Sequence, residues 1–217
     1  MLPVVSIIGK SGAGKTVLVE NLVVEFKKRG YRVATVKHSP GGMDIDSPGK
    51  DSWKFAQAGS DAVVVSSPDK LVLVKKVEHD SNIEEISRVI GSDFDLVIVE
   101  GFKKGKAPKI EVHRRELGED LVCPAKALSA IVGDEPLDAD VPRFSLNETK
   151  AVADFIEKEF IFQTEGDASL FINGKKVPIK FFVKDIIAKV LLAMVSTLKG
   201  VEEVKSLDIS IRNKLNR

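Results

Sequence analysis

The stretch Gly9-Lys10-Ser11-Gly12-Ala13-Gly14-Lys15-Thr16 constrains this chain more than any other. It fits the pattern G-x-x-x-x-G-K-[ST], a loop whose backbone N–H groups cradle phosphates. Its four fixed positions match by chance in only about one chain in a hundred of this length. The flanks narrow it further. The apolar run Val4-Val5-Ser6-Ile7-Ile8 reads as a buried strand, and Leu18, Leu22 and Phe26 then recur on one helical face, with Val19 and Val23 beside them. Strand, loop and helix in that order read as a nucleotide phosphate site, not as a Gly-rich turn that only joins two elements.

The residue types follow from the chemistry. Gly9, Gly12 and Gly14 permit positive φ where the loop must curl. The curl turns successive N–H groups inward as an anion nest, and the helix behind it adds the positive end of its dipole. Lys15 is placed to reach the β- and γ-phosphates and Thr16 to ligate Mg²⁺. Ser11, Ala13 and Val17 complete the phosphate-binding run. Lys10 has two readings: a solvated loop lysine, or one passed to a partner chain's nucleotide, as in P-loop ATPases that dimerise.

The chain has 217 residues, 43% hydrophobic and 30% charged, enough for one sizeable core and a small appendage. A formal net charge of +1 gives no global field favouring nucleic acid or acidic membrane. The single cysteine, Cys123, excludes an internal disulfide framework and a multi-cysteine metal site. It reads as a small buried hydrophobe. The N-terminal apolar run is short, lacks a basic flank and enters the P-loop directly, unlike a signal peptide. The most apolar stretch, Phe181 to Leu198, is interrupted by Lys184, Asp185 and Lys189 and reads as an amphipathic helix, not a membrane span. A cytoplasmic protein is expected.

After the first helix, Lys27-Lys28-Arg29-Gly30 supplies a basic last turn and a Gly cap. Arg32 to Lys37 reads as a second strand, which implies a right-handed βαβ unit in a parallel sheet. The loop His38 to Asp51 leaves the carboxyl end of that strand, where open α/β sheets bind ligands, and carries Asp44 and Asp46. Asp61–Ser66 and Lys70–Val77 are joined by Ser67-Pro68-Asp69 and should pair antiparallel. Asn82 to Ile90 reads as a capped amphipathic helix.

Asp95-Leu96-Val97-Ile98-Val99-Glu100 is a buried central strand that delivers Glu100 to its carboxyl end. A carboxylate there orders Mg²⁺ or its water shell, or else forms a salt bridge. The basic loop Lys103, Lys104, Lys106, Lys109 is either phosphate-facing or solvated. Lys109 to His113 and Leu128 to Val132 are further strands. The second ends near Asp134, which is placed to accept from guanine N1 and N2, although the usual N-K-x-D motif is absent. Val141 to Phe144 and a helix from Asn147 to Phe160 complete a P-loop domain over residues 1–162. Gln163 to Asp167 reads as a linker. Residues 167–217 form a small hairpin-helix-strand unit: an Asn173-Gly174 turn, a helix with Val183, Ile187, Val190, Leu191, Met194 and Leu198 on one face, then Val204 to Arg212 alternating with Leu207, Ile209 and Ile211 inward. Too small to bury much alone, it should pack on the main domain or on a second subunit. The fold expected is α/β: a three-layer, mostly parallel P-loop sheet with an antiparallel hairpin, plus this small α+β unit.

Taken together, these residues resemble the MobB-type accessory proteins of molybdopterin-guanine dinucleotide synthesis. The resemblance runs from about Val4 to Phe160. It rests on the P-loop, Val36-Lys37-His38, Asp44-Ile45-Asp46-Ser47-Pro48-Gly49-Lys50-Asp51-Ser52, Ala58-Gly59, Val65-Ser66-Ser67-Pro68, Val97-Ile98-Val99-Glu100-Gly101-Phe102-Lys103 and Pro108-Lys109-Ile110-Glu111-Val112. Where many members carry a second histidine after the first, this chain has Ser39-Pro40-Gly41-Gly42 after His38. The resemblance implies a GTP- and Mg²⁺-binding homodimer with weak GTPase activity. It would assist the MobA-type nucleotidyltransferase that joins GMP to molybdopterin, with molybdopterin as a further candidate ligand. Carried over, Lys15 and Thr16 hold phosphate and metal, while Glu100, Asp44 and Asp46 surround the metal and its water. With no strong base and no evident finger arginine, hydrolysis should be slow, unless Lys10, Arg114 or Arg115 acts from a partner chain. A P-loop small-molecule kinase and a non-hydrolysing nucleotide-switch adapter are the competing readings.

Overall fold

The computed structural model describes residues 2–42, 47–91, 93–133 and 139–162, and, of the C-terminal stretch, 168, 170–172, 175–177, 179–201, 204, 207 and 209–211. Strand β1 (Val4–Gly9) runs into the P-loop, helix α1 (Lys15–Lys28) and strand β2 (Val33–Lys37). Helix α2 (Asp51–Gln57), the strands β3 (Ala62–Ser66) and β4 (Leu71–Lys75), and helix α3 (Ile83–Ile90) follow. Then come β5 (Leu96–Glu100), β6 (Lys109–Val112), β7 (Ala130–Val132), β8 (Arg143–Phe144) and α4 (Thr149–Ile156). The C-terminal stretch holds β9 (Leu170–Ile172), β10 (Lys175–Val177) and α5 (Phe181–Ser196).

The main sheet has the order β2-β5-β1-β6-β7-β8, and every neighbouring pair is parallel. Two apolar layers sandwich it. On one face Leu18, Leu22 and Phe26 of α1 and Val152, Ala153 and Ile156 of α4 pack on Ile7, Ile98, Ile110 and Val132. On the other face Ile83 of α3 packs on Ala34, Val97 and Val99. Strand β5 alternates between the two layers, Leu96 and Ile98 facing one and Val97 and Val99 the other, which explains why it is apolar on both sides. The cap expected for α3 is present as a full capping box: Asn82 accepts from the Glu85 N–H, and Glu85 accepts from the Asn82 N–H.

Two expectations are revised. The helix drawn from Asn147 to Phe160 is α-helical only to Ile156 and continues as one π turn over Glu157–Ile161. Glu157 there is held by Arg29, whose Nη1 donates to its Oε2 at 2.8 Å, and by the Tyr31 hydroxyl. The final strand expected over 204–212 is also absent at its described positions, which belong to no sheet. Leu207, Ile209 and Ile211 are exposed rather than inward, Ile211 at 88%. Alternation makes a strand only where an edge accepts its hydrogen bonds, and no edge pairs with these described residues. The apolar face of α5 is likewise exposed at Val183, Val190 and Met194, as is Leu198 just beyond the helix.

The Arg29 hub yields a pH prediction. Burial, then the hydrogen bond to Glu157, pushes the Tyr31 hydroxyl from 10.0 up to about 12. A folded-state pKa above the unfolded value contributes stability that is full below pH 10 and lost as pH rises toward 12. Melting temperature should therefore fall across that window in the wild type. In Tyr31→Phe the fall should flatten, and an equally steep fall there would rule Tyr31 out as its source.

Candidate functional site

The P-loop adopts the curl its glycines predict. Gly9, Gly12 and Gly14 have φ of +147°, +79° and +97°, and Gly14 is the N-cap of α1 in the left-handed region. Gly9 is also a point of close approach: a Cβ there would lie 2.4 Å from the Val112 carbonyl oxygen on the neighbouring strand. Ala13 is buried beneath the loop, while Ser11, Thr16 and Val17 lie at its mouth. The Lys15 ammonium donates to the Lys10 carbonyl at 2.7 Å, folding it back across the curl of the loop.

Glu100 arrives from β5, the strand beside β1. Its Oε2 accepts from the Thr16 hydroxyl at 2.9 Å, across 84 positions of sequence, and its Oε1 lies 3.6 Å from Lys37 Nζ. A hydroxyl and a carboxylate oxygen side by side are donors a hard divalent cation takes when phosphate oxygens and water fill the remaining positions. Among the described residues no group of three or more His, Cys, Asp or Glu side chains could hold a metal alone. Asp44 and Asp46, expected around the metal, and Asp134, expected at the base, lie outside the described residues.

The backbone after Glu100 turns sharply. Gly101 has φ of +109°, and a Cβ there would come within 3.1 Å of His38 Cβ. Phe102 is a non-glycine residue with φ of +54°, a conformation that costs about 1–3 kcal/mol and is retained at positions that must hold a fixed geometry. Its ring stacks on His38 at 4.1 Å between centroids, and His38 Nε2 in turn pairs with Asp80 at 2.9 Å. The elbow thus locks the end of β5 to the end of β2. His38 acts here as a packing and hydrogen-bonding residue.

On the other side of the P-loop, β6 bears two buried polar residues, Lys109 and Glu111. Lys109 Nζ donates to the carbonyls of Gly105 (2.6 Å) and Ala107 (3.2 Å), so it serves the basic loop's own backbone and does not face phosphate. Glu111 accepts from the Val122 N–H at 2.8 Å, and burial pushes its carboxyl up. Burial also raises the Cys123 thiol, in keeping with a packing role.

Sequence reasoning placed Lys10, Arg114 and Arg115 as charges offered to a partner chain. The three diverge. Arg115 pairs with Glu119 at 3.2 Å, and Lys10 Nζ lies against Gly118. Arg114 turns back onto its own P-loop, with Nε donating to the Ala13 carbonyl at 3.5 Å. From sequence, Lys37 reads only as a strand residue, not as a neighbour of Glu100. Its position at the carboxyl end of β2 was the available signal, but only the strand order makes it a neighbour of Glu100.

This combination of sheet order, P-loop and flanking carboxylate has counterparts. The family model described as "Molybdopterin guanine dinucleotide synthesis protein B" matches residues 4–134. A Haemophilus influenzae protein named molybdopterin-guanine dinucleotide biosynthesis adapter protein is 36% identical over 160 residues, 72% of this chain and 88% of its own. A Methanocaldococcus jannaschii protein, named as a putative adapter of the same kind, is 26% identical over 96% of this chain and 97% of its own, so its match extends into the C-terminal stretch. A crystal structure of molybdopterin-guanine biosynthesis protein B superposes with a TM-score of 0.57 at 34% identity, covering 71% of this chain and 97% of that one. No helix among the described residues is long and apolar enough to cross a membrane. On the family match, the identities and the shared fold, the chain belongs to the MobB family, that of molybdopterin guanine dinucleotide synthesis protein B.

Proposed function

We propose that this chain is an adapter in molybdopterin-guanine dinucleotide synthesis that binds GTP with Mg²⁺ at the P-loop and serves the enzyme attaching GMP to molybdopterin. The observation that carries the nucleotide reading is the Thr16–Glu100 contact at 2.9 Å at the mouth of a loop whose three glycines hold positive φ. The names of its relatives support the adapter role. In this reading Lys15 leaves the Lys10 carbonyl for the phosphates, and the N–H groups from Gly12 to Val17 hold the anion. Thr16 and Glu100 would hold Mg²⁺, which supplies charge neutralisation at the phosphate oxygens when bound. Glu100 is engaged by Thr16 and Lys37, so it is held as a carboxylate on the metal side rather than as a free general base. Turnover should be slow, which favours an adapter over a kinase.

The test is equilibrium affinity for GTP, GDP and ATP with and without Mg²⁺. GTP should bind most tightly, with at least a tenfold loss on chelating the metal, a difference of about 1.4 kcal/mol. ATP binding more tightly than GTP would overturn the guanine assignment.

The homodimer forms part of the same proposal, and the hairpin supports it. Strands β3 and β4 form a separate two-stranded sheet that exposes Val64, Val65, Leu71, Val72 and Leu73, with Leu71 at 69%. Val64, Leu71 and Leu73 share one face of the pair and Val65 and Val72 the other. Two strands alone are marginal in water, and exposed apolar faces on them mark a protein interface. Leu71→Asp combined with Leu73→Asp should give a monomer in sedimentation equilibrium. A double variant that sediments with the wild-type dimer would remove the hairpin from the interface.

A further inference from the structure

The main sheet gives the P-loop two unlike flanks. On the β5 side stand Glu100, the Thr16 hydroxyl and Lys37 from β2, the acidic and metal-binding side. On the β6 side the chain leaves Val112, passes the buried His113 and presents Arg114. A nucleotide whose terminal phosphates meet Thr16 and Glu100 must carry its sugar and base away from that side. The open route across the carboxyl ends of the strands then lies over β6, where ligands of open α/β sheets are received.

Arg114 is tethered there in a defined way. Nε donates to the Ala13 carbonyl at 3.5 Å, and one terminal nitrogen lies 4.0 Å from where a Cβ on Gly14 would stand. The side chain is 39% exposed, and its ion pair to Glu116, at 3.9 Å, is of the weak surface kind. The P-loop backbone therefore holds one edge of the guanidinium, and the terminal N–H donors remain for a ligand. Two parallel donors match the O6 and N7 acceptors of guanine. Adenine presents N7 beside an N6 amino donor and repels one of the two.

We propose that Arg114 reads the base of the nucleotide bound at this chain's own P-loop, pairing through its guanidinium with the O6/N7 edge of guanine. This assigns guanine selectivity to a residue on the β6 flank in a chain that lacks the N-K-x-D motif. It rests on the nucleotide reading given above, and its test separates the two.

Non-hydrolysable GTP, ATP, ITP and 7-deaza-GTP analogues are titrated into the full chain with Mg²⁺, for wild type, Arg114→Ala and Arg114→Lys. Wild type should hold ITP, which keeps O6 and N7, within about threefold of GTP, and lose roughly tenfold or more on 7-deaza-GTP. Arg114→Ala should bring GTP down to the level of ATP, a loss of roughly tenfold to a hundredfold, with ATP itself unchanged. Arg114→Lys, which keeps charge but not the fork, should fall between. An unchanged melting temperature shows that the variants fold. If GTP and ATP weaken alike in Arg114→Ala, the residue acts on phosphate and the inference is overturned. If ITP, which lacks only the 2-amino group of guanine, binds the wild type as poorly as ATP does, the base is read at N2, and the inference is overturned as well. If the wild type binds no triphosphate at all, it is the nucleotide reading that has failed, and the inference with it.

Discussion

Lys15→Ala is expected to weaken binding of a GTP analogue with Mg²⁺ by about a hundredfold, close to 2.7 kcal/mol, with little change in melting temperature. The reasoning is local. The ammonium donates here to the Lys10 carbonyl at 2.7 Å, a bond that gives way when phosphate arrives. The N–H nest and the Thr16–Glu100 pair would survive the substitution, so the fold should not notice it. The loss falls on the bound state alone, where a point charge meets several phosphate oxygens in a partly desolvated loop. Isothermal titration reads it directly. Affinity within threefold of wild type would place the phosphates elsewhere and end the P-loop reading. The same variant decides whether nucleotide matters to the adapter: full assistance by Lys15→Ala to the partner enzyme proposed above would make binding incidental.

Gly9→Ala is expected to be the most destabilising conservative change at the site, by about 3 kcal/mol or more. Two costs coincide there. Its φ of +147° is one that residues with a Cβ rarely adopt, and the added atom would sit 2.4 Å from the Val112 carbonyl oxygen on a strand held in register opposite it. That oxygen is backbone in the middle of the main sheet and cannot swing aside. Gly12→Ala is the control: its φ is +79°, but nothing lies within 4 Å of the new atom, so about 1 kcal/mol of strain should be the whole effect. Urea unfolding of the two variants separates steric clash from backbone strain. Equal losses would show that the β1–β6 register yields to the extra carbon.

Much of the candidate site was legible because its parts are local. The P-loop is eight consecutive residues, and its flanks show their periods within a dozen or so more. The strand before Glu100 is an unbroken apolar run, and a residue at the end of such a run stands at the ligand-binding edge of an open parallel sheet. The α3 cap was legible for the same reason, since Asn82 and Glu85 satisfy each other's backbone within one turn. Where the reading erred, the deciding partner was distant or missing. The 204–212 stretch alternates correctly, yet no edge meets its described residues. The helix after Asn147 changes to a π turn at Glu157, where Arg29 and Tyr31, more than a hundred residues earlier, hold that carboxylate.

The amino-acid order alone specified the glycine-rich loop, the helix and strand around it, the carboxylate that ends the central strand and the family these spell. Those features depend on spacing between near neighbours, which the chain carries in one dimension. Three-dimensional packing set β5 between β2 and β1, placing Glu100 against both Thr16 and Lys37. It also decided that Arg114 reaches the P-loop of its own chain. Strand order is a global solution to burying two apolar sheet faces at once, and contacts across 84 and 101 positions exist only after that order is set.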